Sequence, residues 1–440
     1  MAGADGLSGG GQAEHNRIGY GQGGREHGRR AEKSEIRVLC FGKPVFQNHA
    51  FRGRLGAILR DHISLPAMLE RLYVHNFRCL ENFEFKPGAA SVLLIGKNGA
   101  GKSTIREVLA VMQAIGQGEG QVKNLVKESD FPRGRSDAPM RIELTLMLEG
   151  KRHHYALALE LPAGFRQLRV LSESLHVDGT EVFTRKHAEV QVKRAAPDGG
   201  NGQFSMDWHI VALTVIQDRG ASSLLQPLRD WLGRIVLLSP LPPLMVSETT
   251  AEPDPLQLSG SNLVDWLSSL LEMHPSVYST VIEQLQKVMP DVALFRFEKL
   301  GRDSRALMVQ FKSGGVSDEQ PFERLSDGEK CFFLSAVLLA ANRWAGPLFA
   351  FWDEPDNYLA THEVGQFIVE LKRCFAQHGG QWIATSHNAE AVLNFSVDST
   401  WVLARKSHLE PTQSRCLDDI PLQPGGVIQT LMDGEIDAWL

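Results

Sequence analysis

Cysteine is scarce in this sequence: five among 440 residues, with no C-x-x-C spacing. That argues against a disulfide framework or a thiolate zinc site, and fits a reducing, cytoplasmic setting. Long apolar runs are missing as well. The longest near the middle starts at Cys331, is broken by Ser335 and ends at Asn342. A membrane span requires about 20 residues, so no membrane association is expected. No basic segment followed by an apolar one opens the chain, which removes a secretory signal. Internal repeats and useful heptad runs are also absent, leaving no repeat array and no coiled-coil arm. Positive charge is short where nucleic acid would need it. The whole chain carries −6 and its first 67 residues +4, which leaves −10 for the rest. An acidic body gives no global footprint for nucleic acid, although a local basic groove is compatible with it.

What is present is an ordinary globular composition, 43% hydrophobic and 22% charged, long enough for two or three domains' worth of core. The first 28 residues hold 10 glycines and no apolar periodicity, so residues 1–67 read as a flexible Gly/Arg-rich extension. The texture changes at Met68, where MLERLYVHNFRCLENFEFKP alternates, turns and alternates again. Residues 140–161 read as a hairpin turning near Glu149-Gly150-Lys151, and strands are expected near 168–176 and 181–184. A Gly/Asn/Asp-rich loop is expected at about 196–203. Two helices parted at His274-Pro275 are expected over 262–289, then strands at 292–298 and 306–312. The end alternates in a β/α manner: helix 328–343, strand 347–352, helix 361–376, strand 381–385, helix 388–394, strand 399–404. The corresponding division is 68–165 as the first half of a catalytic lobe, 166–320 as an inserted region, and 321–440 as the second half.

Gly96-Lys97-Asn98-Gly99-Ala100-Gly101-Lys102-Ser103 satisfies G-x-x-x-x-G-K-[ST], with Thr104 next in the chain. An apolar strand precedes it and a helix comes after, which is the context the motif requires. Glycines let the backbone turn its N–H groups toward phosphate oxygens, and the helix start adds its dipole. Lys102 is then placed to bridge phosphates and Ser103 to ligate Mg²⁺. Downstream, Pro347–Trp352 is a buried-type strand ending in Asp353-Glu354. A carboxylate there can support the metal and the next can deprotonate water; the plainer reading makes Asp353 a cap. Gln381–Thr385 delivers Ser386-His387-Asn388, where His387 is either a γ-phosphate sensor or a bystander beside a helix cap. The pair His153-His154 has no third ligand nearby in sequence and reads as structural. In PFERLSDGEKCFF, Ser326 and Glu329 form a capping box, and the free N–H groups of that helix start also suit an anion.

Four pieces, GKNGAGKST, LSDGEK, LFAFWDEPDNYL and ATSHN, together resemble the ABC-type ATPase heads of the SMC/RecF/OLD group, broadly the AAA family ATPases. Val74-His75-Asn76-Phe77-Arg78 is similar to that group's entry motif. The resemblance spans Met68 to Leu440, with 165–260 loosely covered. It implies an α/β P-loop NTPase of ABC head type: a mixed sheet with helices, an antiparallel β subdomain and a helical lobe bearing the signature. It implies ATP and Mg²⁺ as ligands, with ATP sandwiched in a homodimer. Gly96 to Thr104 would bind phosphate, Ser103 and Asp353 the metal. Glu354 would be the catalytic base, His387 the switch histidine, and Ser326 with Gly328 the contact to the partner's nucleotide. Pro355-Asp356-Asn357 would continue as the loop crossing to that partner.

The sequence departs from the family in reading LSDGEK rather than L-S-G-G-Q. No glutamine loop is placed, since Gln113, Gln117 and Gln121 all fall too close to the first helix. The 223 residues from Ser103 to Ser326 are many for a transporter nucleotide domain and far fewer than an SMC arm demands. The 53 residues after His387 leave no room for the nuclease domain of OLD-type proteins, so a stand-alone RecF-like head is expected. Its implied task is DNA-related, in repair or phage defence, with DNA or a separate effector protein as partner. The alternatives are a nucleotide-gated scaffold for that effector and, less favoured, a transporter-energising ATPase.

Overall fold

The computed structural model describes residues 68–193, 202–217, 224–249, 255–302 and 304–420. The extension expected over residues 1–67, most of the loop expected near 196–203, and the last 20 positions lie outside them.

The chain opens with β1 (Met68–His75) and β2 (Phe83–Phe85), then β3 (Ser91–Ile95) and α1 (Lys102–Gly116). Six strands come next: β4 (Met140–Leu148), β5 (Lys151–Glu160), β6 (Arg169–Val177), β7 (Thr180–Lys186), β8 (Glu189–Val192) and β9 (Gly202–Ser205). After them stand α2 (Gln226–Gly233), β10 (Val236–Leu238), β11 (Glu248–Thr249), α3 (Leu263–Met273) and α4 (Val277–Val288). A meander of β12 (Val292–Lys299), β13 (Arg305–Ser313) and β14 (Val316–Pro321) leads into α5 (Asp327–Trp344). The end alternates β15 (Phe349–Asp353), α6 (Thr361–His378), β16 (Gln381–Thr385), α7 (Ala389–Leu393), β17 (Thr400–Ala404) and β18 (Gln413–Cys416).

Three sheets result. The first is antiparallel, in the order β2-β1-β4-β5-β6-β7-β8-β9. Several of its strands, β4 along its whole length, alternate buried with exposed or half-buried residues, the pattern of a sheet packed on one side. The second has the order β10-β15-β16-β3-β17-β18, parallel except for β18. Here every residue of β3, β15 and β16 is buried, because both faces are covered. Successive residues serve opposite cores. Val92, Leu94, Phe349 and Phe351 join α1 and the antiparallel sheet, whereas Leu93, Ile95, Ala350 and Trp352 join the helices α3 to α6. The third sheet is the β11 to β14 meander beside those helices.

The fold is thus the expected mixed α/β P-loop type with an antiparallel lobe and a helical lobe. Strand β10 was not anticipated: it pairs in parallel with β15 and forms one edge of the second sheet. One buried side chain ties two sheets together. Gln381, at the start of β16, accepts from Leu69 N at 2.8 Å and donates to Leu69 O and Ala89 O.

Candidate functional site

Parallel strands deliver their C-terminal ends to one edge of a sheet, which is where α/β folds place ligands. β3 ends in the glycine loop, β15 in Asp353-Glu354, and β16 in Ser386-His387. The loop's glycines are required by what lies behind them. A Cβ on Gly96 would sit 2.2 Å from Leu403 O, and one on Gly101 would sit 2.6 Å from Thr412 Oγ1. Both residues have positive φ, which costs glycine nothing. Thr412 also donates to Ala100 O at 2.9 Å, fixing the loop from below.

Lys102, at the start of α1, is 6% exposed. Its amine donates to Gly96 O at 2.6 Å and Lys97 O at 3.3 Å, and lies 2.8 Å from His387 Nε2. Burial lowers its pKa, while Glu354 and Asp353 oppose that shift. His387 is lowered too, by partial burial and then by the Lys102 charge. With Lys102 as an ammonium, which can only donate, Nε2 of a neutral His387 would be the acceptor.

The two carboxylates are braced by neighbouring strands. Asp353 Oδ2 accepts from Ser103 Oγ at 3.0 Å and Arg106 Nη1 at 2.7 Å, and its Oδ1 accepts from Thr385 Oγ1 at 2.6 Å. The Thr385 hydroxyl also accepts from Glu354 N at 2.9 Å. Glu354 has φ 52°, a region uncommon for a residue with a side chain and one often found at functional sites. Its Oε2 accepts from Asn357 Nδ2 at 2.6 Å, and its Oε1 stands 3.6 Å from His387 Nε2. Asp356, on the adjoining loop, is 9% exposed; burial raises its pKa and Oδ1 lacks a hydrogen-bond partner.

A cavity of about 440 Å³ opens over the loop. Asn98, Gly99, Gly101, Lys102, Ser103, Thr104 and Glu354 line it, joined by Arg78, Phe131, Arg133, Arg405 and His408. Lys102, Ser103, Asp353, Glu354 and His387 are thus brought together. Ser326 and Gly328 lie outside that cavity's lining. They begin α5, where Ser326 Oγ accepts from Glu329 N and Glu329 Oε2 accepts from Ser326 N, at 3.3 and 2.7 Å. This is the anticipated capping box. A Cβ on Gly328 would come within 3.0 Å of Tyr358 O, on the loop after Glu354. His153 packs within the antiparallel sheet at 1% exposure, and no group of three or more His, Cys, Asp or Glu that could hold a metal occurs among the described residues.

Sequence reasoning missed Thr385, Arg106 and the cationic side of the cavity. A threonine closing the strand in ATSHN is the one local signal that was present; Arg106 pairs with an aspartate 247 residues away, and Arg78, Arg133 and Arg405 come from segments outside the loop.

Strand, glycine loop and helix, with two carboxylates at the end of a nearby parallel strand, make up a mixed α/β fold of P-loop NTPase type. An antiparallel sheet and a group of helices flank that parallel sheet. A family model described as an AAA domain matches residues 71–130, the segment from β1 through α1 and beyond. Among solved structures, the chain is similar to an SMC head bound to the C-winged helix domain of ScpA, with 16% identity over 80% of this chain and 98% of that one and a TM-score of 0.48. It is also similar to the SMC head domain of Thermotoga maritima, with 14% identity, 79% and 98% coverage and a TM-score of 0.42. A third likeness is an SMC head with an extended coiled coil, bound to the C-terminal domain of ScpA from Pyrococcus furiosus, with 14% identity, 80% and 97% coverage and a TM-score of 0.45. No curated protein matches the sequence. Among the described residues no helix is long and apolar enough to cross a membrane.

Proposed function

We propose that this chain binds ATP with Mg²⁺ and hydrolyses it as a pair of heads, each head completing the other's site. The observation that carries the reading is the buried Lys102 amine, whose hydrogen-bond partners are loop carbonyls and an imidazole rather than a carboxylate. A buried cation so placed gains from an incoming phosphate anion. The glycine cradle supports the same ligand, since no side chain fits at Gly96 or Gly101. Ser103 Oγ and Asp353 offer adjacent hard oxygens suited to Mg²⁺. When bound, that ion would neutralise phosphate charge.

The remaining roles fall to this chain's own groups. Lys102 would exchange its loop carbonyls for phosphate oxygens. His387, released from Lys102, would report on the terminal phosphate. Glu354, oriented by Asn357 and Thr385, would take the proton from the attacking water. The start of α5, with Ser326 exposed and Gly328 beside it, lies outside the cavity lining of its own head, which supports a role toward a second head's nucleotide. A DNA-related task, or control of a separate effector, extends this reading through the family resemblance alone.

The test is Glu354→Gln, sized by light scattering with and without ATP. ATP binding should persist, turnover should fall more than about a hundredfold, and a dimer should accumulate with ATP. A chain that stays monomeric with ATP bound would sink the paired-head reading. Adding duplex DNA to the same sample asks whether DNA shifts that equilibrium.

A further inference from the structure

The phosphate-loop motif asks for lysine and a hydroxyl, but leaves the residue one helical turn beyond the lysine open. In this chain that position is Arg106. Its Nη1 lies 2.7 Å from Asp353 Oδ2, with the two side chains only 16% and 10% exposed. The same oxygen accepts the Ser103 hydroxyl, and the other oxygen accepts Thr385. The carboxylate suited to a divalent cation is therefore already neutralised, and both of its oxygens already accept donors. A metal ion arriving beside Ser103 and Asp353 would meet a guanidinium a few ångströms away. Two cations at that range repel strongly in a poorly solvated site. The negative charge of a polyphosphate would compensate both.

We propose that Arg106 is a built-in counter-ion for Asp353 that competes with the divalent metal, so that metal enters the site together with nucleotide and not before it. This rests on the phosphate-loop reading above. Arg106 is a positioning residue in this account: it acts through Asp353. It makes the site selective for the metal–nucleotide complex over free metal. It also keeps the buried carboxylate paired while the site is empty, which avoids the cost of an uncompensated buried charge.

The experiment uses the full chain and a fluorescent ATP analogue, titrated with Mg²⁺ at fixed nucleotide. Three proteins are compared: native, Arg106→Met, which keeps the aliphatic stem, and Arg106→Lys, which keeps the charge. Arg106→Met should lower the half-saturating Mg²⁺ about tenfold, the scale of one charge-assisted contact, and Arg106→Lys should stay close to native. In parallel, Mn²⁺ binding without nucleotide, read by electron paramagnetic resonance, should appear in Arg106→Met and not in the native chain. An unchanged or raised Mg²⁺ requirement in Arg106→Met, or a lysine variant behaving like the methionine one, would overturn the counter-ion role and leave a structural brace. If Arg106→Met does not fold, Arg106→Gln takes its place with the same expected outcomes. Failure of the native chain to bind the nucleotide at all would overturn the phosphate-loop reading itself, a result distinct from either.

Discussion

A single hydroxyl organises the acidic end of the site. Thr385 donates to Asp353 and accepts from the amide of Glu354, so it sets both the carboxylate and the backbone beside it. Thr385→Val keeps the shape and removes both bonds. Stability in urea should drop by about 2 kcal/mol, as expected when a buried bond to a charged group is lost, and turnover should fall while nucleotide affinity changes little. A loss of affinity equal to the loss of turnover would show that Thr385 merely supports the fold. His387 offers a second test. Its folded pKa lies below the ordinary histidine value because of burial and the Lys102 charge. The unfolded chain therefore binds the proton more readily, and stability contributed here is present above about pH 6.5 and lost as pH falls below it. His153, His154 and His378 are lowered as well, so the native chain must be compared with His387→Gln. The native melting temperature should fall more steeply between pH 7 and 5 than that of the variant.

At the scale of elements, the start of α5 combines a capping box with an exposed Ser326. Ser326→Ala removes one capping bond and should cost about 1 kcal/mol. Ser326→Arg places bulk and charge where a partner's nucleotide would come. Under the paired-head proposal it leaves ATP binding intact and abolishes ATP-dependent dimerisation, measured by light scattering; surviving turnover would reduce Ser326 to a cap. This helix was legible because its cap, its acidic first turn and its apolar body agree locally. So were α1, β15 and β16, each announced by an uninterrupted apolar run or a motif with strict spacing. Strand β10 was not legible. Three residues, Val-Leu-Leu, carry no period, and their strand character comes from pairing with β15 more than a hundred residues away. β14, reading VSDEQP, has no apolar alternation and becomes a strand by adding to the edge of β13. Arg106 was hidden for the same reason: its partner is 247 residues distant. Local chemistry reveals a motif, whereas long-range pairing decides which further side chains reach it.

Across the molecule, the antiparallel lobe and the parallel sheet meet at Gln381, whose amide serves Leu69 and Ala89 together. Gln381→Leu would leave those backbone groups without their partner in a fully buried position. The expected cost is about 2–3 kcal/mol, read as a lower urea midpoint; an unchanged midpoint would mean that the sheets are joined by apolar packing alone. A related consequence concerns how freely this sequence can vary. Strand β15 sends Phe349 and Phe351 into one core and Ala350 and Trp352 into the other, and the acidic pair hangs from its end. Repacking either side shifts the same short lever. Neither half of the molecule can therefore drift on its own: a volume change tolerated thermally in one core must still leave Asp353 and Glu354 in register with a loop anchored in both. Variation should accumulate where strands face solvent, and the interior should change by matched substitutions across the sheet.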